Sequence, residues 1–159
     1  MAGADIAILL GVIDQVWDGE SWHGQNLRGS VRRVNAEDAT WRPAPRRHNI
    51  HGLVVHVAYW KYAALRRLTQ AEKGSFPYRG SNWFARKSGP DQALWKKDVA
   101  LLVEYHEALR AAIAAFDPRE LARVAPGSKW TNLVLITGIA AHDLYHAGQI
   151  QLIKKLRRG

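Results

Sequence analysis

Two histidines near the end of the sequence, His142 and His146, have the type and spacing of metal ligands. They lie in the longest apolar run of the chain, which begins at Asn132 and ends in the basic segment 154–158 without an intervening proline. That length predicts a helix of about seven turns, in which side chains four residues apart leave the same face. The spacing alone is equally compatible with two ordinary core or surface histidines. Because the neighbours are apolar and a buried imidazole needs a partner for its nitrogens, the position favours a site.

The segment from His142 to His146 is superficially similar to the His-Glu-x-x-His motif of zinc proteases, with Asp143 where that motif has glutamate. Aspartate is one methylene shorter than glutamate and therefore reaches less far as a general base. The residues after His146 include no histidine, cysteine, aspartate or glutamate. We therefore reject the protease interpretation and expect any third ligand to come from earlier in the chain.

A third candidate ligand, His56, lies in another apolar stripe with helical spacing. Asn49 is a suitable N-cap for this helix, and His56 falls about two turns from its start. His51 is expected to point elsewhere, and His48 and His106 are expected at the surface. The stripe around His56 is formed by Leu53, Val57, Trp60, Ala64 and Leu68.

The whole pattern predicts an all-α protein, a four-helix bundle formed by one domain over residues 1–159. Long helices are predicted near residues 5–18, 50–70, 91–116 and 132–156. The connection over residues 73–90 is rich in Gly, Ser and Pro and carries four aromatic residues. A connection of this length is usually functional or a crossover, and its aromatics indicate that it packs onto the bundle. It also indicates a topology other than simple up-down-up-down.

The composition narrows the possible functions. The 159 residues contain no cysteine, which excludes disulfides, cysteine–zinc sites and a protein thiol nucleophile. A formal charge of +9 attracts anions, but the basic residues are dispersed as short pairs, so a small anionic substrate is favoured over nucleic acid. The first residues lack the basic region of a secretory signal, and the apolar patch at residues 6–12 is too short to span a membrane. A cytoplasmic protein without a membrane partner is expected.

On these residues the chain resembles the DinB/YfiT-like superfamily of metal-binding four-helix bundles. In that family one histidine of the second helix and two of the fourth bind a divalent ion, often zinc or nickel. The resemblance therefore implies that His56, His142 and His146 are metal ligands. The matching pieces are segments 56–60 (HVAYW) and 142–150 (HDLYHAGQI), together with Trp22-His23-Gly24 and Trp41-Arg42-Pro43.

Three neutral imidazoles suit zinc, nickel, copper or iron(II) and do not suit magnesium or calcium. Three protein ligands also leave positions for water or substrate, as in catalytic rather than structural sites. Asp143 and Gln149 flank the histidine pair and are candidate partners of the imidazoles, although outward solvation of Asp143 is an equal alternative. Trp22, His23 and Trp60 are candidate residues of a substrate pocket, and His23 is equally compatible with a structural role.

The resemblance implies thiol-dependent chemistry, since characterised relatives include isomerases and S-transferases that use low-molecular-weight thiols. The first hypothesis is accordingly an S-transferase or isomerase that acts through a metal-bound thiolate or water, with a small thiol as cosubstrate. A metal-dependent hydrolase and a non-enzymatic, damage-inducible metal-binding protein are alternatives that the sequence leaves open. A homodimer is also expected, because the resemblance favours dimers and a stripe of mostly small residues lies beside the histidine face. Small residues let helices approach closely, which is compatible with either the bundle interior or a partner subunit. That stripe comprises Gly138, Ala141, Tyr145 and Gly148.

Overall fold

Four long helices form most of the protein in the computed structural model, which describes residues 2–74, 76–86 and 89–159. In chain order the helices are α1 (Ala2–Trp17), α2 (Leu27–Val31), α3 (Ala36–Thr40), α4 (Ile50–Thr69), α5 (Gln92–Ala114) and α6 (Asn132–Arg158), with a 3₁₀ turn at Pro118–Glu120. The described residues form no β-strand, only an isolated bridge between Val124 and Thr131. The predicted all-α class is confirmed, and the long helices begin and end close to the predicted residues.

Side-chain caps explain where the long helices begin. Asn49 Oδ1 accepts a hydrogen bond of 2.8 Å from the backbone N–H of Gly52 at the start of α4. Thr131 Oγ1 accepts one of 3.3 Å from Val134 at the start of α6, and Asp91 caps α5 in the same way. Each cap satisfies an N–H group that has no partner in the first turn of a helix. The first residues of α4 and α6, the helices that carry the candidate ligands, are thus set by the N-cap residues that precede them.

Consecutive long helices are not all neighbours in the bundle. Both α1 and α4 pack against α5 and α6, which places α1 diagonally opposite α4 and α5 diagonally opposite α6. The connections over residues 18–49 and 115–131 therefore span diagonals, and the topology departs from simple up-down-up-down as predicted. The connection over residues 73–90 is not the crossover, because it links the neighbours α4 and α5.

Two clusters of buried apolar side chains fill the bundle. One joins α2 and α3 to the long helices and includes Leu27, Leu53, Leu102 and Ile150. The other includes Ile13, Leu109, Ile113 and Ile136. The short helices are therefore part of the packed core. None of the helices in the described part of the chain is both long and apolar enough to cross a membrane.

The connection between α4 and α5 packs onto these helices through its aromatic side chains, as predicted. Phe84 is buried, with its ring centroid 5.3 Å from that of Tyr59 on α4. Phe76 stacks on Tyr105 of α5 with centroids 5.6 Å apart. These contacts hold the connection against the helix that carries His56.

The expectation that His106 lies at the surface is wrong. Its ring is buried and stacks on Trp17 with centroids 3.9 Å apart, and its Nδ1 lies 3.3 Å from Nζ of Lys61. His106 shares the inward face of α5 with Leu102 and Leu109, which lie four and three residues away. An aromatic face and a lysine from α4 satisfy the imidazole in the interior.

Candidate metal centre

Three histidines from two helices meet between α4 and α6. His56 comes from the second turn of α4, and His142 and His146 come from consecutive turns of α6. Their donor nitrogens lie within 4.8 Å of one another, and His56 and His146 are buried. The structure thus brings together the three residues that spacing and resemblance single out.

Neutral acceptors hold the outer nitrogens of two of these rings. His56 Nδ1 donates a hydrogen bond of 2.8 Å to the backbone carbonyl of Asn82, and His146 Nδ1 donates one of 2.7 Å to Oε1 of Gln149. A neutral imidazole carries one N–H, so each of these rings keeps a lone pair on Nε2. Anchoring the far nitrogen in this way orients histidine ligands in metal sites. Gln149, a predicted partner of the imidazoles, therefore contacts His146 directly.

The two lone pairs converge on a third nitrogen, Nε2 of His142. This atom lies 3.1 Å from Nε2 of His56 and 3.1 Å from Nε2 of His146. A neutral His142 supplies at most one proton to these two contacts. Among the described residues, its buried Nδ1 also has no hydrogen-bond partner. A cation at the centre would accept the Nε2 lone pairs, because nitrogens 3.1 Å apart can each lie about 2.1 Å from one ion.

Burial keeps these imidazoles in the neutral form that binds metals. Desolvation lowers the pKa of His56 to about 4, against the hydrogen bond to Asn82. Desolvation, reinforced by the neighbouring imidazoles, lowers the pKa of His142 to about 3. Desolvation also lowers the pKa of His146, against its hydrogen bond to Gln149. At neutral pH the three rings are therefore neutral, so metal binding does not have to discharge an imidazolium.

The donor set suits a divalent transition metal. In the described part of the chain, the cluster consists of three imidazoles without a carboxylate or sulfur donor. Neutral imidazoles bind zinc, nickel, copper and iron(II), whereas magnesium and calcium prefer oxygen ligands. The residues present therefore fit a metal of the first group. His142 is only partly buried, which leaves the cluster an approach from outside.

An apolar cavity of about 330 Å³ adjoins the cluster, and His142 is one of its lining residues. Trp60 and Trp130 supply its aromatic surface. The Trp60 ring meets His142 edge-on with centroids 6.3 Å apart, and its Nε1–H donates a hydrogen bond of 2.9 Å to Oδ1 of Asn82. The predicted pocket residue Trp60 thus contacts the cluster, and Trp130, which the sequence does not single out, lines the same cavity.

The other two predicted pocket residues do not line this cavity. Trp22 is 100% exposed, and His23 is also exposed. Both lie in the turn between α1 and α2, because α2 begins only at Leu27, where Asn26 provides the N-cap. Helix periodicity does not extend through this turn, so the side chains face solvent.

Asp143 is buried, so the alternative of outward solvation is wrong. Its carboxylate pairs with Nζ of Lys61 at 2.5 Å, and neither side chain has exposed surface. Its described hydrogen bond goes to Lys61 and not to an imidazole of the cluster. Burial raises the pKa of Asp143, and the Lys61 ammonium opposes that shift. A buried polar pair therefore lies one residue along α6 from His142.

The connection between α4 and α5 supplies two residues that the sequence does not mark as members of the site. Asn82 adopts a left-handed φ of 64°, which asparagine tolerates better than most residues, and it bonds both His56 and Trp60. Trp83 lies between His56 and the exposed His48, with stacked centroid distances of 3.9 Å and 3.8 Å. The aromatic content of the connection indicates packing, but no local signal shows which ring reaches His56.

A buried carboxylate on α5 holds this connection in place. Asp98 accepts hydrogen bonds from Arg86 at 2.6 Å, from His51 Nε2 at 2.6 Å and from the hydroxyl of Tyr78. Burial opposes the charge of Asp98, but the hydrogen bonds from these three residues outweigh burial and lower its pKa. The carboxylate therefore ties the connection to both α4 and α5. His51 points to Asp98 rather than to the cluster, as expected.

Comparison with known families agrees with this geometry. The family model described as DinB superfamily matches residues 21–150, a range that contains the three histidines, Gln149 and Asn82. Neither the curated proteins nor the solved structures include a significant match to the chain.

Proposed function

This chain belongs to the DinB superfamily, and we propose that it is an enzyme that uses a divalent transition metal, zinc or nickel, in thiol-dependent group transfer or isomerisation. The convergence of Nε2 of His56, His142 and His146 carries this proposal. These three residues are the proposed ligands. Three imidazoles leave coordination positions for substrate, as in catalytic metal sites.

The protein's own residues prepare this site. Asn82 and Gln149 hold the outer nitrogens of two rings, so the Nε2 atoms converge before a ligand arrives. Trp60 and Trp130 shape the apolar cavity at His142 and limit the water around reacting atoms. A divalent metal bound to these imidazoles would lower the pKa of a thiol or of water.

The proposed thiol comes from a cosubstrate, because the chain contains no cysteine. The positive net charge of +9 favours an acidic thiol, which the field of the protein attracts. An apolar cavity at the cluster supports a second substrate with an apolar reacting part.

Cobalt(II) tests thiol binding directly, because a sulfur–cobalt bond adds a charge-transfer absorption in the near ultraviolet. Since the chain has no cysteine, such a band must come from added thiol. We expect the cobalt-loaded protein to gain the band on addition of glutathione, and the His142→Ala variant to lack it. If the protein binds cobalt and never gains the sulfur band, the thiol part of the proposal is wrong.

Turnover is the second test. The zinc- or nickel-loaded protein is expected to accelerate the reaction of glutathione with an electrophile such as chlorodinitrobenzene, and metal-free protein and His142→Ala are expected not to. Equal rates for the loaded protein and for His142→Ala would contradict an enzymatic role of the cluster.

We also propose that the protein is a homodimer that associates through the outer face of α6. The stripe formed by Gly138, Ala141, Tyr145 and Gly148 is exposed along this face. Leu152, 57% exposed, extends it with an apolar side chain. Small residues let a second helix approach closely. Light scattering is expected to give twice the 17.9 kDa chain mass, and a monomer mass at working concentration would contradict the dimer.

We propose one domain for residues 1–159. The mutual packing of α1, α4, α5 and α6 supports a common core for the long helices. Limited proteolysis is expected to leave one resistant fragment that contains all four helices, whereas two separately stable fragments would contradict the proposal.

A further inference from the structure

A second cavity, of about 530 Å³, shares Trp60 with the apolar cavity at His142. It is formed by the last turns of α4 and the connection that follows, with Gly127 from the connection before α6. We propose that this basic cavity, lined by Arg66, Arg67, Lys73 and Arg79 together with aromatic residues, binds a small organic anion. The ligand class is a phosphate ester or carboxylate that carries an aromatic or other apolar body.

Charge is the first support for this inference. The described lining of the basic cavity contains four cationic residues and no aspartate or glutamate. Within the described chain, none of the four forms an ion pair, whereas Arg110 pairs with a carboxylate at 2.6 Å. A concave surface with one sign of charge concentrates counter-ions, and free guanidinium groups recognise phosphate and carboxylate through paired hydrogen bonds. Within the described chain, Arg66 and Arg79 are therefore available to an anionic ligand, while Arg67, which donates a hydrogen bond of 3.0 Å to the backbone carbonyl of Ala63, adds its positive charge.

The aromatic lining is the second support, because it distinguishes an organic anion from an inorganic one. Tyr59, Trp60 and Phe76 all line the basic cavity. Tyr59 meets Trp60 with centroids 5.6 Å apart and Phe76 with centroids 5.3 Å apart, so the rings hold one another in place. A volume of about 530 Å³ lies within the usual range of small-molecule pockets. These rings offer contact to an apolar body beside the charged group.

The position of the basic cavity suggests its role. Trp60 lines it and also meets the ring of His142 at a centroid distance of 6.3 Å. A molecule anchored by its acidic group in the basic cavity would therefore lie beside the three-histidine cluster. Its role as the subsite of an acidic cosubstrate rests on the proposed function, but anion binding itself requires no metal.

Calorimetric titration of the metal-free protein at low ionic strength tests the ligand class. The probes are phenyl phosphate, phthalate, inorganic phosphate and benzyl alcohol. At least one aromatic anion is expected to bind with one site per chain and at least about tenfold more tightly than inorganic phosphate, and benzyl alcohol is expected not to bind. Comparison of the affinities for phenyl phosphate and phthalate shows whether the site prefers a phosphate or a carboxylate. Equal affinity for inorganic phosphate, or no binding of either aromatic anion, would overturn the proposal.

Matched variants locate the binding site. Arg66→Gln/Arg79→Gln is expected to lower the affinity for the aromatic anion at least about tenfold. Lys96→Gln/Lys97→Gln removes the same charge from exposed positions on α5 outside the cavity and is expected to change affinity less than about twofold. If the double variant does not fold, the single variant Arg79→Gln, which changes an exposed residue, replaces it in the comparison with the α5 variant. Equal losses in the cavity variants and the α5 variant would overturn the assignment.

Cobalt binding separates this proposal from the proposed function. Arg66→Gln/Arg79→Gln is expected to bind cobalt as the unchanged protein does, because neither residue contacts the cluster. In the unchanged protein, failure to bind either aromatic anion together with an intact sulfur–cobalt band would overturn only the basic cavity. Intact anion binding without that band would overturn only the thiol chemistry.

Discussion

Two groups of interior histidines differ in what their rings face. His51 and His106 each face a charged side chain, Asp98 at 2.6 Å and Lys61 at 3.3 Å respectively. In the three-histidine cluster, the Nε2 atoms face one another at 3.1 Å across His142. Both groups lie inside the same bundle, so their different partners, rather than their depth, distinguish them.

This difference separates a structural histidine from a candidate ligand. Burial lowers the pKa of His106 to about 3, as it does for His142, so burial and a shifted pKa do not identify a site. A ring nitrogen with a charged partner is satisfied, whereas converging lone pairs lower the stability of the metal-free protein until a cation arrives. The partner of the inward-facing ring nitrogen is therefore the informative feature.

Removal of the central ligand should give the largest effect. His142→Ala deletes the nitrogen that lies 3.1 Å from both other Nε2 atoms. We expect affinity for zinc or nickel to fall by more than about 100-fold, with loss of stoichiometric metal after dialysis, as measured by plasma mass spectrometry. His51→Gln, the matched change in a structural histidine, should retain one metal per chain. Metal loss in both variants, or in neither, would break the comparison.

Removal of the Asp98 carboxylate beside His51 should lower the stability of the fold rather than the affinity for metal. Asp98→Ala leaves His51 and Arg86 without their buried partner and should lower the free energy of unfolding by about 3–5 kcal/mol in urea denaturation. His142→Leu in metal-free protein should leave that free energy unchanged or raise it slightly, because it removes unsatisfied lone pairs. A comparable loss in both variants would show that the cluster is a structural hydrogen-bond network.

A smaller effect is expected at the residue that orients His146. Gln149→Ala removes the acceptor 2.7 Å from Nδ1 and should weaken metal binding by about 10–100-fold without changing stoichiometry. Competition with a chromophoric chelator measures this affinity. Gln151→Ala, two residues along α6, removes an amide that contacts Ser30 at 3.3 Å and should leave affinity unchanged. Equal affinities for the two variants would contradict an orienting role.

The smallest effect concerns acid stability of the metal-free protein. The folded-state pKa of His106, about 3, lies below the value of about 6.5 for an unfolded chain. Below about pH 6.5 the unfolded chain therefore binds a proton that the folded protein excludes. The free energy of unfolding consequently decreases as the pH is lowered, until the pH reaches the folded-state pKa. His106→Leu should reduce this slope by at most about 1.4 kcal/mol per pH unit in urea denaturation at several pH values. An unchanged slope would contradict a neutral, buried His106.

Local patterns predicted the helices and the pair on α6 because these features depend on neighbours within a few residues. Asn49 and Thr131 cap helices through N–H groups three residues away, and His142 and His146 share a face through helix geometry alone. The burial of His106 was missed although its position follows the same periodicity, since a histidine on an apolar face needs a partner from elsewhere. Lys61 provides that partner, and nothing in the sequence around Lys61 or His106 indicates that the two side chains meet.

The sequence by itself determined the fold class, the absence of a protein thiol, and which histidines share a helix face. The packing of α4 against α6 decided that His56 reaches the pair, although its stripe and the family resemblance pointed there. Only the tertiary structure shows that Asn82 and Trp83 contact His56, and that Asp143 turns to Lys61. Helix spacing is a property of neighbouring residues, whereas these contacts join residues that are distant in sequence and depend on how the helices and the connection pack together.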